Sequence, residues 1–414
     1  MTASMADRQA ARSTIRRRTA TPAIQLVVAT AGFTLAFWAW ALISPLGARY
    51  AERLGLSSLQ QALLVATPVL VGSLGRIPVG ALTDALGARR ILPVIALLTT
   101  LPVLFIGLYA DTLPLLLLGG FFLGLGGTSF AVGVPHVNRW FAPARRGTAI
   151  GVFGAGMGGT AISAFTTVPI TDAWGAKAPF LLVAAVLLVY SGVAAVTLVD
   201  PPEWTGGSAR GFAGRAWRTV RKPVTLQLSF LYAVGFGGFV AFSVYLPSYL
   251  KNAFELTQSD AAYRTAGFVI VAVLMRPVGG WLSDRLHPVP VLGTSFGVAA
   301  VLAVLVALEL PLIPVGTIGF LGLAAMLGAA AGACFALVAR LVAPEQVGAT
   351  TGIVGAAGGL GGFFPPLVMG AVKSSTGDYT IGFLLLAATA AAAAAFTWFV
   401  VRRAGRPGPS PSRA

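Results

Sequence analysis

VLVGSLGRIPVGALTD (residues 69–84) and VIVAVLMRPVGGWLSD (residues 269–284) each hold one arginine inside an apolar run, Arg76 in the first and Arg276 in the second. The arginines are 200 positions apart and the residues behind them agree: Gly80, Leu82, Thr83 and Asp84 align with Gly280, Leu282, Ser283 and Asp284. One structural unit is therefore used twice. Each arginine precedes its aspartate by eight residues, about 12 Å along a helix. If the aspartate marks the end of a helix crossing a hydrocarbon core of about 30 Å, both arginines lie near the middle of that core. A charge there costs about 3 kcal/mol on the milder scales, so it is rare and usually functional.

The rest of the chain supports a membrane setting. Of 414 residues, 56% are hydrophobic and only 10% charged, which excludes a soluble fold. Twelve apolar runs, each of the length that crosses a bilayer, fall at 23–45, 59–83, 90–109, 113–138, 147–170, 178–199, 223–250, 261–283, 288–308, 313–339, 348–372 and 379–401. The formal charge of +16 suggests a nucleic-acid binder until it is mapped onto these spans. With the N-terminus inside, 21 basic residues fall in cytoplasmic segments and six in outside loops (Arg49, Arg53, Lys177, Lys251, Arg264 and Lys373). That bias places both termini in the cytoplasm and leaves no need for a nucleic-acid partner. The single cysteine, Cys334, sits in an apolar run, so no internal disulfide can form.

The repeat extends past the arginines. APARRGTAIGVFGAGMGG (142–159) matches APEQVGATTGIVGAAGG (343–359), with Gly147, Gly151, Gly154 and Gly158 opposite Gly348, Gly352, Gly355 and Gly359. The fifth span thus pairs with the eleventh and the second with the eighth. The expected organisation is a cytoplasmic tail at 1–22, a six-helix bundle at 23–199, a polar, basic linker at 200–222, a second bundle at 223–401 and a tail at 402–414. Two parallel six-helix repeats are the layout of major facilitator transporters, which bind substrate at the midplane between halves. GALTDALGARR (80–90) resembles the loop between helices two and three of that superfamily, and WLSDRLHP (281–288) is its degenerate partner. Asp84, Arg89, Arg90 and Asp284 are accordingly read as a cytoplasmic gate, with Asp84 capping or pairing across it and the arginines at the membrane surface.

All thirteen acids map to tails, loops or helix ends, so none neutralises Arg76 or Arg276 at depth. Either arginine could instead bond backbone carbonyls. A paired, uncompensated charge calls for a counter-ion, and the simplest is a small anionic substrate. A guanidinium offers parallel N–H donors that suit a planar oxyanion, and it keeps its charge. Release must then come from conformational change or exchange.

The segments GLGGTSFAVGVPHVNRWF (124–141), GAGMGGTA (154–161), MRPVGG (275–280) and GAAGGLGGFFPP (355–366) resemble the nitrate/nitrite porter family, a branch of the major facilitator superfamily. The resemblance implies an all-α membrane protein of twelve transmembrane helices in two pseudo-symmetric halves. It implies secondary active transport of nitrate and/or nitrite across the cytoplasmic (inner) membrane, as exchanger or proton-linked importer. No enzyme activity, cofactor or metal is implied. The expected partners are nitrate or nitrite, the lipid bilayer and, on the importer branch, protons; a monomer is expected. Carried over position by position, the family's nitrate-binding arginines fall on Arg76 and Arg276, its helix-seven tyrosine on Tyr232 with an aromatic one turn on at Phe236, and its helix-four aromatic on Phe130. Tyr232 and Phe236 are i and i+4 and share a helix face. Two rings would bound a flat slot while Tyr232 and the guanidiniums bond the anion's edge.

One departure stands out. Where the family often has asparagine, this chain has Met157, which removes a polar contact and bears on selectivity between nitrate and nitrite. The signature glycines Gly154, Gly158, Gly355 and Gly359 form small-xxx-small pairs and are read as close-packing, sliding helix surfaces. His136 is read as a hydrogen-bonded structural residue. The main rival is a transporter of another small anion such as an organic phosphate; it would call for extra lysine or histidine at depth, and none is seen. A membrane enzyme would need a converging catalytic set at one depth, which the sequence does not offer.

Overall fold

The computed structural model describes residues 20–201, 204, 212–342 and 347–401. It contains twelve helices long and apolar enough to cross a membrane. In the first half these are α1 (Pro22–Leu54), α2 (Ser58–Leu86), α3 (Ala88–Tyr109), α4 (Leu113–Trp140), α5 (Ala149–Trp174) and α6 (Ala178–Thr197). In the second they are α7 (Pro223–Phe254), α8 (Gln258–Leu286), α9 (Pro288–Ala307), α10 (Leu312–Val338), α11 (Thr350–Thr376) and α12 (Thr380–Val401). Residues 1–19 and 402–414 of the expected tails lie outside the described residues. Within the linker the structure has a short helix, Phe212–Val220.

The repeat seen in sequence recurs in backbone detail. The α1–α2 turn carries a left-handed residue at Gly55 and an N-cap at Ser57; the α7–α8 turn repeats them at Glu255 and Thr257. Ser57 and Gln60 form a reciprocal capping box, which satisfies two of the donors a helix start leaves open. The α2–α3 and α8–α9 turns both need a positive φ, at Gly87 (82°) and His287 (77°). Just before them, Thr83 and Ser283 are buried and bond the carbonyls of Val79 and Gly279 one turn back.

The outside of the bundle is apolar. Leu101, Val189, Leu274 and Val301, on α3, α6, α8 and α9, are 63–69% exposed. In water such a surface would aggregate; in a bilayer it meets lipid.

The halves differ in regularity. In the first, α2 breaks at Gly75, immediately before Arg76, and α4 and α5 tighten into 3-10 turns at Gly124–Thr128 and Ala155–Gly158. Glycine clusters explain these tightenings, because glycine stabilises a regular helix less than other residues and lets backbones approach. In the second half, α7 and α8 run unbroken through Pro247 and Pro277.

Two seams join the halves, α2 along α11 and α5 along α8. The molecule is latched at the end where α1 turns into α2 and α7 into α8. Ser44 donates to the Val244 carbonyl at 2.6 Å, Asn252 donates to Gln61 at 3.3 Å, Gln258 bonds the Pro45 carbonyl, and Lys251 pairs with Glu52. Each of these contacts crosses between halves. At the linker end the ion pair formed, Arg139–Asp84 at 3.0 Å, stays within the first half. The structure is therefore latched at the hairpin end and not by ion pairs at the linker end, among the described residues.

Candidate functional site

Arg76 and Arg276 occupy equivalent depths, each eighteen residues beyond the first residue of its helix and ten before the last. Arg76 is buried, at 7% exposure. Its Nε donates to the Gly127 carbonyl at 3.3 Å and its Nη1 to the Gly355 carbonyl at 2.8 Å. Arg276 donates through Nη2 to the Tyr232 hydroxyl at 2.6 Å and through Nη1 to the Met157 sulfur. Among the described residues neither arginine has a carboxylate partner.

The arrangement is reciprocal. Arg76, from the first half, reaches Gly355 on α11; Arg276, from the second, reaches Met157 on α5. Each guanidinium thus crosses the interface to the glycine-rich segment of the opposite half. Both positive charges rest on neutral acceptors. Carbonyl bonding, the alternative open from sequence, is realised at Arg76. It uses two of the five N–H donors of the guanidinium and leaves the charge uncancelled.

Aromatic rings fill the space between the arginines. The Phe236 ring centroid lies 5.8 Å from the Arg76 Cζ and 5.2 Å from the Arg276 Cζ, and Phe130 lies 5.3 Å from the Arg76 Cζ. Arg76 is thus flanked by Phe130 and Phe236, and cation–π attraction helps hold it there without an anion. Tyr232 stacks on Phe236 with centroids 4.9 Å apart and an interplanar angle of 6°. All five residues expected at the site from sequence come together. Phe335 on α10, edge-on to Tyr232 at 4.7 Å, was not expected. Its only sequence signal is a position on the helix that repeats α4, the helix of Phe130.

The signature glycines divide. A side chain at Gly359 would strike Ser73 of α2, with Oγ at 2.1 Å, so α2 and α11 need glycine there. Gly355 supplies the carbonyl for Arg76 and faces Phe130. Gly154 and Gly158, expected to be close-packed, have open space where a side chain would go. The tight contacts on α5 are instead at Gly156, against Phe33, and Gly159, against the Thr34 and Trp38 backbone of α1. The 3-10 turn at Ala155–Gly158 rotates the helix and changes which glycines face α1.

Asp84 pairs with Arg139 of α4, within its own half rather than across the interface. Asp200, at the end of α6, accepts from the Arg89 backbone N–H at 3.0 Å and so caps the start of α3. Arg90 and Asp284 are exposed. Arg340, the repeat of Arg139, donates to the Ser283 carbonyl at 3.4 Å beside Asp284. His136 is buried with Nε2 3.3 Å from Gln25 Oε1, which fits the structural role expected of it. Among the described residues no cluster of metal-ligating side chains occurs.

The sequence profile described as Major Facilitator Superfamily matches residues 29–321 and again 228–414. A probable nitrate/nitrite transporter NarK2 from Mycobacterium tuberculosis is 49% identical over 378 residues, covering 91% of this chain and 95% of that one. The chain belongs to the nitrate/nitrite porter branch of the major facilitator superfamily. A nitrite extrusion protein from Bacillus subtilis is 37% identical over 89% of this porter and 92% of its own length. The porter's fold is also that of a bacterial homologue of the human lysosomal transporter Spinster, with a TM-score of 0.72 at 20% identity over 93% of this chain and 98% of that one. As a transporter of this family, the porter is not an enzyme.

Within the porter, Met157 changes the reading of the helix-five departure. The side chain is buried and its thioether faces the Arg276 guanidinium, so the position still touches the arginine. A thioether is a weak acceptor, and Arg276 keeps most of its hydrogen-bonding demand for another partner.

Proposed function

We infer that this protein is a secondary active transporter of nitrate and nitrite, with the anion held between Arg76 and Arg276. The observation that carries the reading is the reciprocal pair of guanidiniums at one depth, Arg76 buried and Arg276 half-buried. They come from opposite halves, bond only neutral acceptors, and share one aromatic wall in Phe236. An arriving oxyanion brings the full negative charge that the Met157 sulfur and the two carbonyls lack, so it competes for the guanidinium donors with Coulomb attraction added to the hydrogen bonds. Because the two arginines come from opposite halves, an anion held by both draws the halves together at mid-depth. This is how an anion couples to alternating access.

In this reading the bundles at 23–199 and 223–401 rock about the linker at 200–222, as a monomer. The excess of basic residues on the linker side puts that end in the cytoplasm. The latched hairpin end is then periplasmic or extracellular, and the conformation is closed to the outside. The gate residues Asp84, Arg89, Arg90 and Asp284 sit at the end that must close when the outer latch opens. Protons remain a proposed second substrate only for the importer branch.

The test is counterflow of labelled nitrate in vesicles, with competition by nitrite, chlorate, chloride and an organic phosphate. Nitrite and chlorate are expected to compete, and organic phosphate is not. Competition by the phosphate ester instead of nitrite would replace this reading with the rival one.

Phe130→Ala or Phe236→Ala is expected to lower the preference for nitrate over chloride by about 1–3 kcal/mol, the range for a lost pocket contact. Competition curves left unchanged in both variants would remove the slot. In a Cys334→Ala background, Glu52→Cys and Lys251→Cys bridged by a flexible bis-maleimide should arrest counterflow, since the hairpin end can no longer part. Full counterflow in the bridged protein would show that this end does not open.

A further inference from the structure

We propose that the linker helix Phe212–Val220 is a docking site for the headgroups of anionic phospholipids, held by Arg218 and Arg221 with the Trp217 indole beside them. The helix ends three residues before Pro223, the first residue of α7, so it lies at the level of the bilayer surface. It packs on α11 and α7 and buries Thr219, at 8% exposure. The neighbouring side is open. Trp217 is 58% exposed, Arg218 and Arg221 are exposed, and the Arg221 guanidinium lies 4.6 Å from the Trp217 ring centroid.

These three side chains make one patch by helical geometry. Arg221 lies one residue past the helix, but its N–H donates to the Trp217 carbonyl at 3.3 Å and continues the turn, so 217, 218 and 221 are neighbours on the surface. Residues 204–222 contain five basic residues and no acid, so the segment has no counter-charge of its own. An indole this exposed is unfavourable in water and favourable at the membrane interface, where tryptophan concentrates. A short basic helix with an aromatic at its border is the pattern that lies in the interface of an anionic membrane. The helix lies at the level of the bilayer surface, which brings lipid headgroups within reach of the patch. The phosphate of an anionic lipid supplies negative charge to Arg218 and Arg221, and its acyl-glycerol part meets the indole.

The site bears on the transport cycle through α11. The linker helix rests on the helix whose Gly355 carbonyl takes Arg76 and whose Gly359 seats Ser73. A lipid holding the linker helix therefore holds one wall of the moving seam.

The test uses the full-length protein in detergent micelles and reads Trp217 alone, as the emission difference between wild type and Trp217→Phe. Brominated phosphatidylglycerol is expected to quench this emission at about one-tenth the mole fraction that brominated phosphatidylcholine requires. The double variant Arg218→Gln, Arg221→Gln should lose that preference while keeping a monodisperse size-exclusion profile. Either single variant, expected to reduce the preference about threefold, serves if the double does not fold. Equal quenching by the two lipids, or a preference unchanged in the variants, would overturn the proposal. Relief of quenching by millimolar glycerol phosphate would also overturn it, by assigning the patch to a soluble anion.

Discussion

Arg76→Lys and Arg276→Lys are each expected to reduce nitrate counterflow by roughly 30- to 100-fold while leaving the protein folded and monodisperse. Lysine keeps the charge and loses the planar fork. Arg76 bonds Gly127 and Gly355 at once, through different nitrogens and on different halves. One ammonium at the end of a four-carbon stem cannot span both and still face an anion. At Arg276 the same change breaks the simultaneous contact with Tyr232 and Met157. Hydrogen bonds to charged groups are worth about 1.5–3 kcal/mol, and about 2–2.7 kcal/mol gives that range of loss. The two variants should resemble each other, because the residues occupy equivalent depths in repeated helices. Near-normal counterflow by both would remove the two-arginine site, and a defect in only one would mean that a single arginine carries the anion. Melting temperature is the control that separates lost binding from lost folding.

Much of this was legible in the sequence because membranes impose simple rules. All twelve helices were expected, since a span must be about 20 residues long and apolar. The largest misjudged end is that of α1, expected to stop at 45 and observed to reach Leu54. Its last segment, Gly47–Leu54, is polar on one face and leaves the hydrocarbon, so hydropathy does not see it. The duplication was legible because both copies keep their arginine, their aspartate and their glycines. Features set by contacts between distant elements were not legible. The Met157 contact with Arg276, the pairing of Asp84 with Arg139, and the cap that Asp200 places on α3 each join residues 55 or more positions apart. The tight glycines on α5 were assigned one helical face away because a 3-10 turn is not written in small-residue spacing. The linker helix was hidden for a different reason. Its period mixes basic and apolar residues over too short a stretch to stand apart from a basic loop.

The last expectation concerns the empty carrier. The site holds two guanidiniums on neutral acceptors, and the buried polar side chains around it bring no carboxylate, among the described residues. Moving that site from one side to the other without an anion carries two positive charges through a region where water is scarce. A bound monoanion halves the charge. The size of a buried-charge penalty is contested but its sign is not, so the loaded carrier should reorient faster than the empty one. Internal nitrate or nitrite should therefore accelerate the initial uptake of external labelled nitrate, by about tenfold if the difference between the two barriers is about 1.4 kcal/mol. The measurement is initial uptake into vesicles with and without internal anion, at clamped membrane potential and equal pH on both sides. A rate indifferent to internal anion and steep in the pH gradient would instead require a proton carrier. His136 would be the first residue to replace in that case. Its ring is buried four residues before the end of α4, with Nε2 facing Gln25 and Nδ1 without a hydrogen-bond partner, so it is the buried histidine with a nitrogen free to take a proton. His136→Asn would then abolish the pH-gradient dependence. If exchange is the mechanism, the same substitution should leave acceleration by internal anion intact.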